Sequence, residues 1–441
     1  MSAEKWPRLA GKDEFRFLTD LVLTHSTAEH TVVNVQDQHG GTTRFANNHV
    51  VQNVDTRRTS LTVTVAFGRR RGAASTTDFT AGAVQETLKR AEQIARVSPE
   101  DPEYLPPVGP QWYPALSASR PETAATGPAH RLRNVGEAIG LCQAEQLQAA
   151  GIVSSSVGVV GVAAETGLFA FEERTDSRFS ITVQNGDGSG WAAGAHRSID
   201  HLQIPERTWV AIEKAKRADV PHELPPGRYT VILEPAAVAG LLSWMIWNLD
   251  AKSYDKGTSP FSGRLGQRIV DERLTLRNCP DHPDLLGASF THEGLPGTDS
   301  MWIESGVLKQ LAHDRFTAKE HNVEVIPTLD APLLTGDETS VEDLISTTAL
   351  GILVTNFWYL RVVNPTDLTL TGMTRDGTYL IEDGRMTGAV KNFRFHDSPL
   401  RVFSQIEGIS APCEAVTAET GKLLVPALKI QDFNFSSGTR F

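Results

Sequence analysis

Thr31-Val32-Val33-Asn34-Val35, then Arg44-Phe45-Ala46, then Leu61-Thr62-Val63-Thr64-Val65: three bursts within forty residues place an apolar side chain at nearly every second position. Period two is the mark of a strand with one buried face. Gly40-Gly41 and Asn47-Asn48 fall between the bursts as turn residues, so Thr31 to Phe67 reads as an antiparallel meander. Beyond it the period changes. Between Thr80 and Val97, Val84, Leu88, Ala91 and Ile94-Ala95 recur at three and four residues with charges between them, which predicts an amphipathic helix. A meander followed by such a helix sets the class as α+β with an antiparallel sheet.

Working outward, Ser98 to Pro128 carries eight prolines and little periodicity, so a connecting segment belongs there. A helix is expected over Val135 to Ala150, strands over Val157 to Ala164, Gly167 to Phe171 and Ser177 to Val183, and a helix over Trp209 to Ala218. Val220-Pro221-His222-Glu223-Leu224-Pro225-Pro226-Gly227 reads as a stiff linker, because proline fixes φ and donates nothing to a sheet. A third unit opens with the strand Tyr229-Thr230-Val231-Ile232-Leu233 and a helix from Pro235. Near its end, Gly377 to Met386 reads as a hairpin turning at Asp383-Gly384. The expected organisation is an N-terminal α+β domain over residues 1–224, with sub-units at about 25–98 and 129–219, and a β-rich domain over residues 225–441. No repeat of fixed period is visible.

Of the 441 residues, 40% are hydrophobic and 22% charged, a balance that supports a sizeable core. The 42 Lys+Arg against 53 Asp+Glu give a formal charge of -11, which argues against an electrostatic grip on nucleic acid or anionic lipid. Arg69-Arg70-Arg71 is the one compact basic run, and its place before Gly72 suggests a solvated turn. Cys142, Cys279 and Cys413 are odd in number and widely spaced, unlike a disulfide framework, and suit a reducing compartment. The charged, proline-containing Met1 to Pro7 does not resemble a secretory signal, so the expected location is the cytoplasm. Ala236 to Trp247, the most apolar window, has 12 residues against the roughly 20 needed to span a bilayer, and reads as a buried helix.

Thirteen histidines invite a search for metal ligands. His25 and His30 flank Glu29, but His30 opens the first predicted strand and cannot share a helical face with His25. His292-Glu293 resembles half a zinc motif, yet Gly294, Pro296 and Gly297 forbid the helix it needs and favour a turn. His313 and His321, eight residues apart on a polar helical run with no evident carboxylate partner, read as solvent-facing. There is no phosphate-binding glycine loop and no Gly-x-Ser-x-Gly elbow. Cys413 follows a proline turn as a candidate nucleophile or ligand, but it lacks a definable histidine partner.

Tyr359-Leu360-Arg361-Val362-Val363-Asn364-Pro365-Thr366, continuing through Thr371-Gly372-Met373-Thr374-Arg375-Asp376-Gly377-Thr378, resembles the C-terminal domain of the TldD/PmbA family. The likeness extends through Ile381 to Gly384, Val390 to Phe395 and Asp397 to Leu400, upstream to Phe290–Pro296 and Ile303–Leu308, and more weakly to Arg44–Asn48. The family's catalytic branch carries a His-Glu-x-x-x-His helix after the first strand of this domain and a later cysteine as a third zinc ligand. Aligning Leu241-Leu242 and Thr258 to Phe261 with the flanks of that motif puts Ser243, Trp244 and Asn248 at its positions, with Cys413 as a possible remnant of the third ligand. Hydroxyl, indole and amide supply neither strong zinc ligation nor a general base. The resemblance therefore implies the PmbA (TldE) branch: no catalytic residue and no metal in this chain, zinc in a TldD-type catalytic partner, and peptides or unfolded polypeptides as substrate. Trp244 and Trp247 are the candidate substrate-binding residues, although tryptophans at helical spacing also suit a core. Two other readings stay open: a homodimeric binding or regulatory protein on the same scaffold, and an enzyme built on Cys413 or on His292 and Glu293.

Overall fold

The computed structural model describes residues 9–218, 220–417 and 420–439; Met1 to Pro7 lie outside the described residues. In the first half, α1 (Lys12–His25) precedes β1 (His30–Ala46), β2 (His49–Phe67), β3 (Arg70–Thr76) and α2 (Ala81–Val97). A short α3 (Pro121–Ala124) lies in the proline-rich segment. Then follow α4 (Pro128–Ala144), β4 (Gln148–Ala164), β5 (Phe169–Asn185), β6 (Gly188–His196) and α5 (Ile204–Arg217). The six strands form one antiparallel sheet in the order β3-β2-β1-β4-β5-β6. The order helix, three strands, helix thus occurs twice, and the halves join where β1 pairs with β4. No residue-level period accompanies this repetition, because the matching strands and loops differ in length.

The strands run longer than the alternation indicates. Gly40-Gly41, expected to be a turn, lies inside β1, where a side chain has no room. A Cβ on Gly41 would stand 2.1 Å from both Arg131 Nη2 and Asp55 Oδ1, and one on Gly40 would stand 2.6 Å from the Ser155 carbonyl oxygen. These glycines admit a close approach instead of reversing the chain. The turn is at Asn47-Asn48, whose φ angles of 50° and 61° suit asparagine. The helix expected to reach Ala150 ends at Ala144, and the strands expected at Gly167–Phe171 and Ser177–Val183 are one strand, β5.

Alternation gives the sheet two unlike faces. In β1, Val33 and Val35 are buried against the helices, while Asn34, Gln36 and Gln38 point the other way. The helix face also holds charge: Arg131, fully buried on α4, donates to Asp55 Oδ1 at 2.6 Å and to Ser155 Oγ at 3.3 Å. The basic run at the β2–β3 turn is exposed and ties down the connecting segment, through Arg71 to Asp101 at 2.8 Å.

The second half comprises β7 (Gly227–Leu233), α6 (Pro235–Ile246), α7 (Ala251–Asp255), β8 (Leu276–Asn278), β9 (Ser300–Glu304), β10 (Val307–Leu308), α8 (Arg315–His321), β11 (Pro332–Leu334) and α9 (Val341–Ser346). It continues with β12 (Leu350–Asn364), β13 (Thr369–Glu382), β14 (Arg385–Ala389), β15 (Phe393–Asp397), α10 (Pro399–Val402), β16 (Ile406–Ile409), β17 (Cys413–Thr417), β18 (Gly421–Val425) and β19 (Leu428–Gly438). Pairing closes β12-β7-β19-β15-β13 into a ring, because β13 pairs back onto β12. Closure leaves no open edge among these five strands. The core includes Phe357, Phe393, Phe395, Phe433 and Phe435, with ring centroids 4.5 to 5.7 Å apart in neighbouring pairs. Burying each phenyl group contributes roughly 2 to 3 kcal/mol. The β13–β14 turn falls at Asp383 and Gly384, with φ of 45° and 74°. A second sheet, β10-β9-β8-β11-β18-β17, flanks the ring. Among the described residues, no helix is long and apolar enough to cross a membrane.

The halves touch at Asp376, whose Oδ1 accepts from Ser189 Oγ at 3.1 Å. Burial holds this carboxyl above its ordinary range, with Arg375 pulling the other way. A raised carboxyl pKa in the fold means that ionisation opposes folding. This contribution is best below the unfolded value of about 3.9 and is lost as pH rises toward the folded value. Asp376→Asn keeps the shape and the acceptor, so it should raise the melting temperature at pH 7 and flatten its fall between acid and neutral pH. A variant less stable than the parent at pH 7 would mean that Arg375 compensates the charge.

Candidate functional site

Helix α6 starts at Pro235, whose missing N–H and fixed φ suit a first turn, and is apolar almost all round, with nine of its twelve residues buried. Ser243 is fully buried and its Oγ donates back to the Ala239 carbonyl at 2.8 Å. Trp244 packs against the core with its indole N–H buried and unpartnered among the described residues. Asn248, just past the helix end, turns its Nδ2 onto the Trp244 carbonyl at 2.8 Å, while its own carbonyl accepts from Ser259 Oγ at 2.9 Å. Trp247 is 50% exposed and meets Trp244 edge-on at 5.1 Å. The hydroxyl and the amide N–H thus close the helix's own backbone.

Cys413 lies on a different element. It opens β17 opposite Val425, exposed at the residue level, while its thiol is pushed up by local burial and then by the nearby Glu234 and Glu414. Glu234 precedes the first turn of α6, and Ser243 lies nine residues further on, roughly 13 Å along the axis. The strand that Cys413 opens, β17, packs against α6. Zinc does not fit this donor set: one serine, one indole and one amide, each occupied or incapable of ligation. Among the described residues, no group of three or more His, Cys, Asp or Glu is placed to hold a metal ion.

The histidine candidates separate as well. His30 Nδ1 lies 2.7 Å from Glu165, His25 Nδ1 lies 2.8 Å from the Leu21 carbonyl, and Glu29 accepts from the Gly68 N–H. His292-Glu293 forms a turn. The solvent-facing reading holds for His321, which is exposed, and needs correction for His313. His313 is buried, stacked edge-on to His321 at 5.2 Å, and His321 Nε2 meets Asp255 at 2.8 Å. The carboxylate was hidden because it comes from α7, 66 residues away. Another grouping had no local signal. His196, His201, His282 and Asp284 line a cavity of about 460 Å³ beside Cys413, with the first two rings stacked at 4.4 Å.

A cavity of about 740 Å³ lies on the face of the N-terminal sheet away from its helices, with Leu286, Asp330 and the β17–β18 turn at Thr420 to Lys422 as its far wall. Strand register builds its floor in rows. Arg58 pairs with Gln38, which pairs with Gly158, which pairs with Arg174; Val54, Thr42, Ser154 and Arg178 form the next row but one. Trp244 and Trp247 are not in this lining.

An antiparallel sheet with helices on one face and a groove on the other, joined to a strand ring whose first strand leads into a buried apolar helix, defines a two-unit α+β scaffold of metallopeptidase-related type. Residues 226–437 match the family model of the PmbA/TldA metallopeptidase C-terminal domain, and residues 32–95 match that of PmbA/TldA metallopeptidase domain 1. The chain belongs to the TldD/PmbA family. It is 27% identical to metalloprotease PmbA of Escherichia coli O157:H7 over 59% of this chain and 60% of that protein. It is 25% identical to a metalloprotease TldD homolog of Buchnera aphidicola over 42% of this chain and 41% of the relative. The matched stretches span about two-fifths to three-fifths of the curated relatives' own lengths. The fold superposes on TldE from Thermococcus kodakarensis with a TM-score of 0.86 at 19% identity, covering 96% of this chain and 98% of that one. A solved structure from Thermotoga maritima gives 0.85 at 18% identity, over 95% and 99%.

Proposed function

We propose that this chain is the subunit without a zinc motif in a TldD/TldE-type metallopeptidase pair, and that it encloses and holds peptides or unfolded polypeptides while a TldD-type partner binds zinc and makes the cut. The observation that carries this reading is the chemistry of residues 243, 244 and 248. Hydrolysis needs an activated nucleophile and a stabilised oxyanion. Ser243 and Asn248 spend their donors on helix carbonyls, and Trp244 has no base to offer. The likeness to a TldE structure and to a TldD homolog supports the assignment to a pair. Three free thiols suit a reducing cytoplasm.

The test is co-purification with a TldD-type subunit carrying His-Glu-x-x-x-His, followed by peptide digestion and metal analysis of each component. The chain alone should hold no stoichiometric zinc and cleave nothing. Mixing should raise cleavage by roughly a hundredfold or more over either component, the scale on which assembling a transition-state site acts. Chelator-resistant cleavage by this chain alone would overturn the non-catalytic reading, and full activity of the partner alone would overturn the subunit reading.

A further inference from the structure

The wide groove on the N-terminal sheet has a charge character opposite to that of the whole molecule. Among the described residues its lining includes Arg44, Arg58, Arg174, Arg178, Arg197 and Lys422 against only Asp176 and Asp330, in a chain of formal charge -11. Several of these charges are already committed. Arg178 pairs with Asp176 at 3.0 Å, Lys422 with Glu414 at 3.3 Å, and Arg197 donates to the Ala118 and Gly287 carbonyls. Asp330 accepts from Asn278 Nδ2 and the Ala288 N–H. Arg44, Arg58 and Arg174 have no ion-pair or hydrogen-bond partner of their own among the described residues. Register sets their spacing. Arg58 and Arg174 end the same cross-strand row, three strand separations or about 14 Å apart, with Gln38 and Gly158 between them.

We infer that this groove binds an acidic stretch of extended polypeptide, with side-chain carboxylates seated on Arg44, Arg58 and Arg174. The inference rests on the peptide-holding role above and names its substrate class. Guanidinium forks match carboxylates bidentately, and a cleft focuses the field of unpaired cations, so net negative charge elsewhere does not cancel their local pull. The floor favours polypeptide over nucleic acid. Its central positions are small and uncharged, including Gly40, Ser154, Ser156 and Gly158, which leaves room for a flat strand. The lining contains no aromatic side chain, so nothing offers a base a stacking platform.

Fluorescence anisotropy on the full chain, without partner, separates this idea from the peptidase assignment. The probes are a labelled unstructured dodecapeptide alternating Glu with Ser, its Gln-for-Glu twin, and a single-stranded oligonucleotide of equal length. The acidic peptide should bind about tenfold or more tightly than the twin at low salt, with the advantage shrinking at higher ionic strength. Arg44→Gln/Arg58→Gln/Arg174→Gln should remove that advantage. Its far-ultraviolet spectrum and melting should stay unchanged, because none of the three side chains has a structural partner among the described residues. Arg385→Gln, on an exposed strand outside the groove, should bind as the parent does. Equal affinity for the two peptides, an unaffected triple variant, or groove-dependent binding of the oligonucleotide in preference to the acidic peptide would each overturn the inference. Failure of the partner to cleave would leave this binding result standing, and the reverse also holds.

Discussion

Gly190→Ala should cost the fold about 3 kcal/mol or more, the upper end of what overpacking does, since the added methyl would meet backbone instead of a movable side chain. A Cβ there would lie 2.2 Å from the Ala211 carbonyl oxygen and 2.5 Å from the Ala215 nitrogen, both on α5. Gly72 makes the same contact in the other half of the sheet, 2.2 Å from the Ala91 carbonyl oxygen and 2.3 Å from the Ala95 nitrogen of α2. Each outer strand therefore touches its covering helix through a glycine set against alanines four residues apart. To admit a methyl, the helix must lift and give up burial of its apolar face, which for α5 includes Ala211, Ile212 and Ala215. Gly72→Ala should behave alike. Gly136→Ala is the contrast: it lies in α4 with nothing within 4 Å of the added atom, and should stabilise by roughly 0.5 to 1 kcal/mol. Urea unfolding of the three variants decides it. A Gly190→Ala protein as stable as Gly136→Ala would mean that α5 is not held at this contact.

How much of this architecture is legible in the residues depends on whether its cause is local. The helix over Ala81–Val97, the strand after Gly227 and the hairpin at Asp383-Gly384 follow from periodicity and turn chemistry within a few residues of themselves. Gly40-Gly41 reads locally as a turn, yet Gly41 makes room for Arg131, which arrives from α4, and Gly40 for Ser155 and Ser156 of β4. β6 has little signal because Gly188, Gly190 and Gly194 interrupt its alternation, and each makes room for α5 or the residue just after it. At the candidate site, the proposed motif positions 243, 244 and 248 can be assigned from the sequence because a helical motif keeps its spacing there. The groove is not readable. Arg44, Arg58 and Arg174 come from three strands, and only register places them on one face. His321 and Asp255 likewise meet across 66 residues.

Glu414→Gln should loosen the joint between the two halves, at a cost of about 3 kcal/mol. Glu414, on β17 of the second half, accepts from the Ala195 N–H at 2.6 Å and from the Arg207 guanidinium in the first half, and pairs with Lys422 at 3.3 Å. The Lys422 side chain is only 3% exposed, and burial pushes its ammonium below the ordinary range while Glu414 pulls it back. A glutamine keeps the shape and one acceptor but leaves two cations facing each other in a poorly solvated place. Removing one member of such a network costs more than the net worth of the pair, because the remaining charges stay desolvated. With a lysine pKa already depressed in the fold, the charged form opposes folding below that value. The deficit should therefore be largest near neutral pH and shrink as pH rises toward the unfolded lysine value of about 10.4. The same β17–β18 hairpin supplies Gly421 and Lys422 to the wall of the groove, so loosening it should weaken retention of the acidic peptide while Arg44, Arg58 and Arg174 remain in place. Limited proteolysis reads the joint directly: the variant should be cut early in the proline-rich stretch 220–226, releasing the halves faster than in the parent. A variant that melts and digests like the parent would show that Arg207 and Lys422 find other partners, and that the halves are held chiefly by contacts such as Ser189 with Asp376.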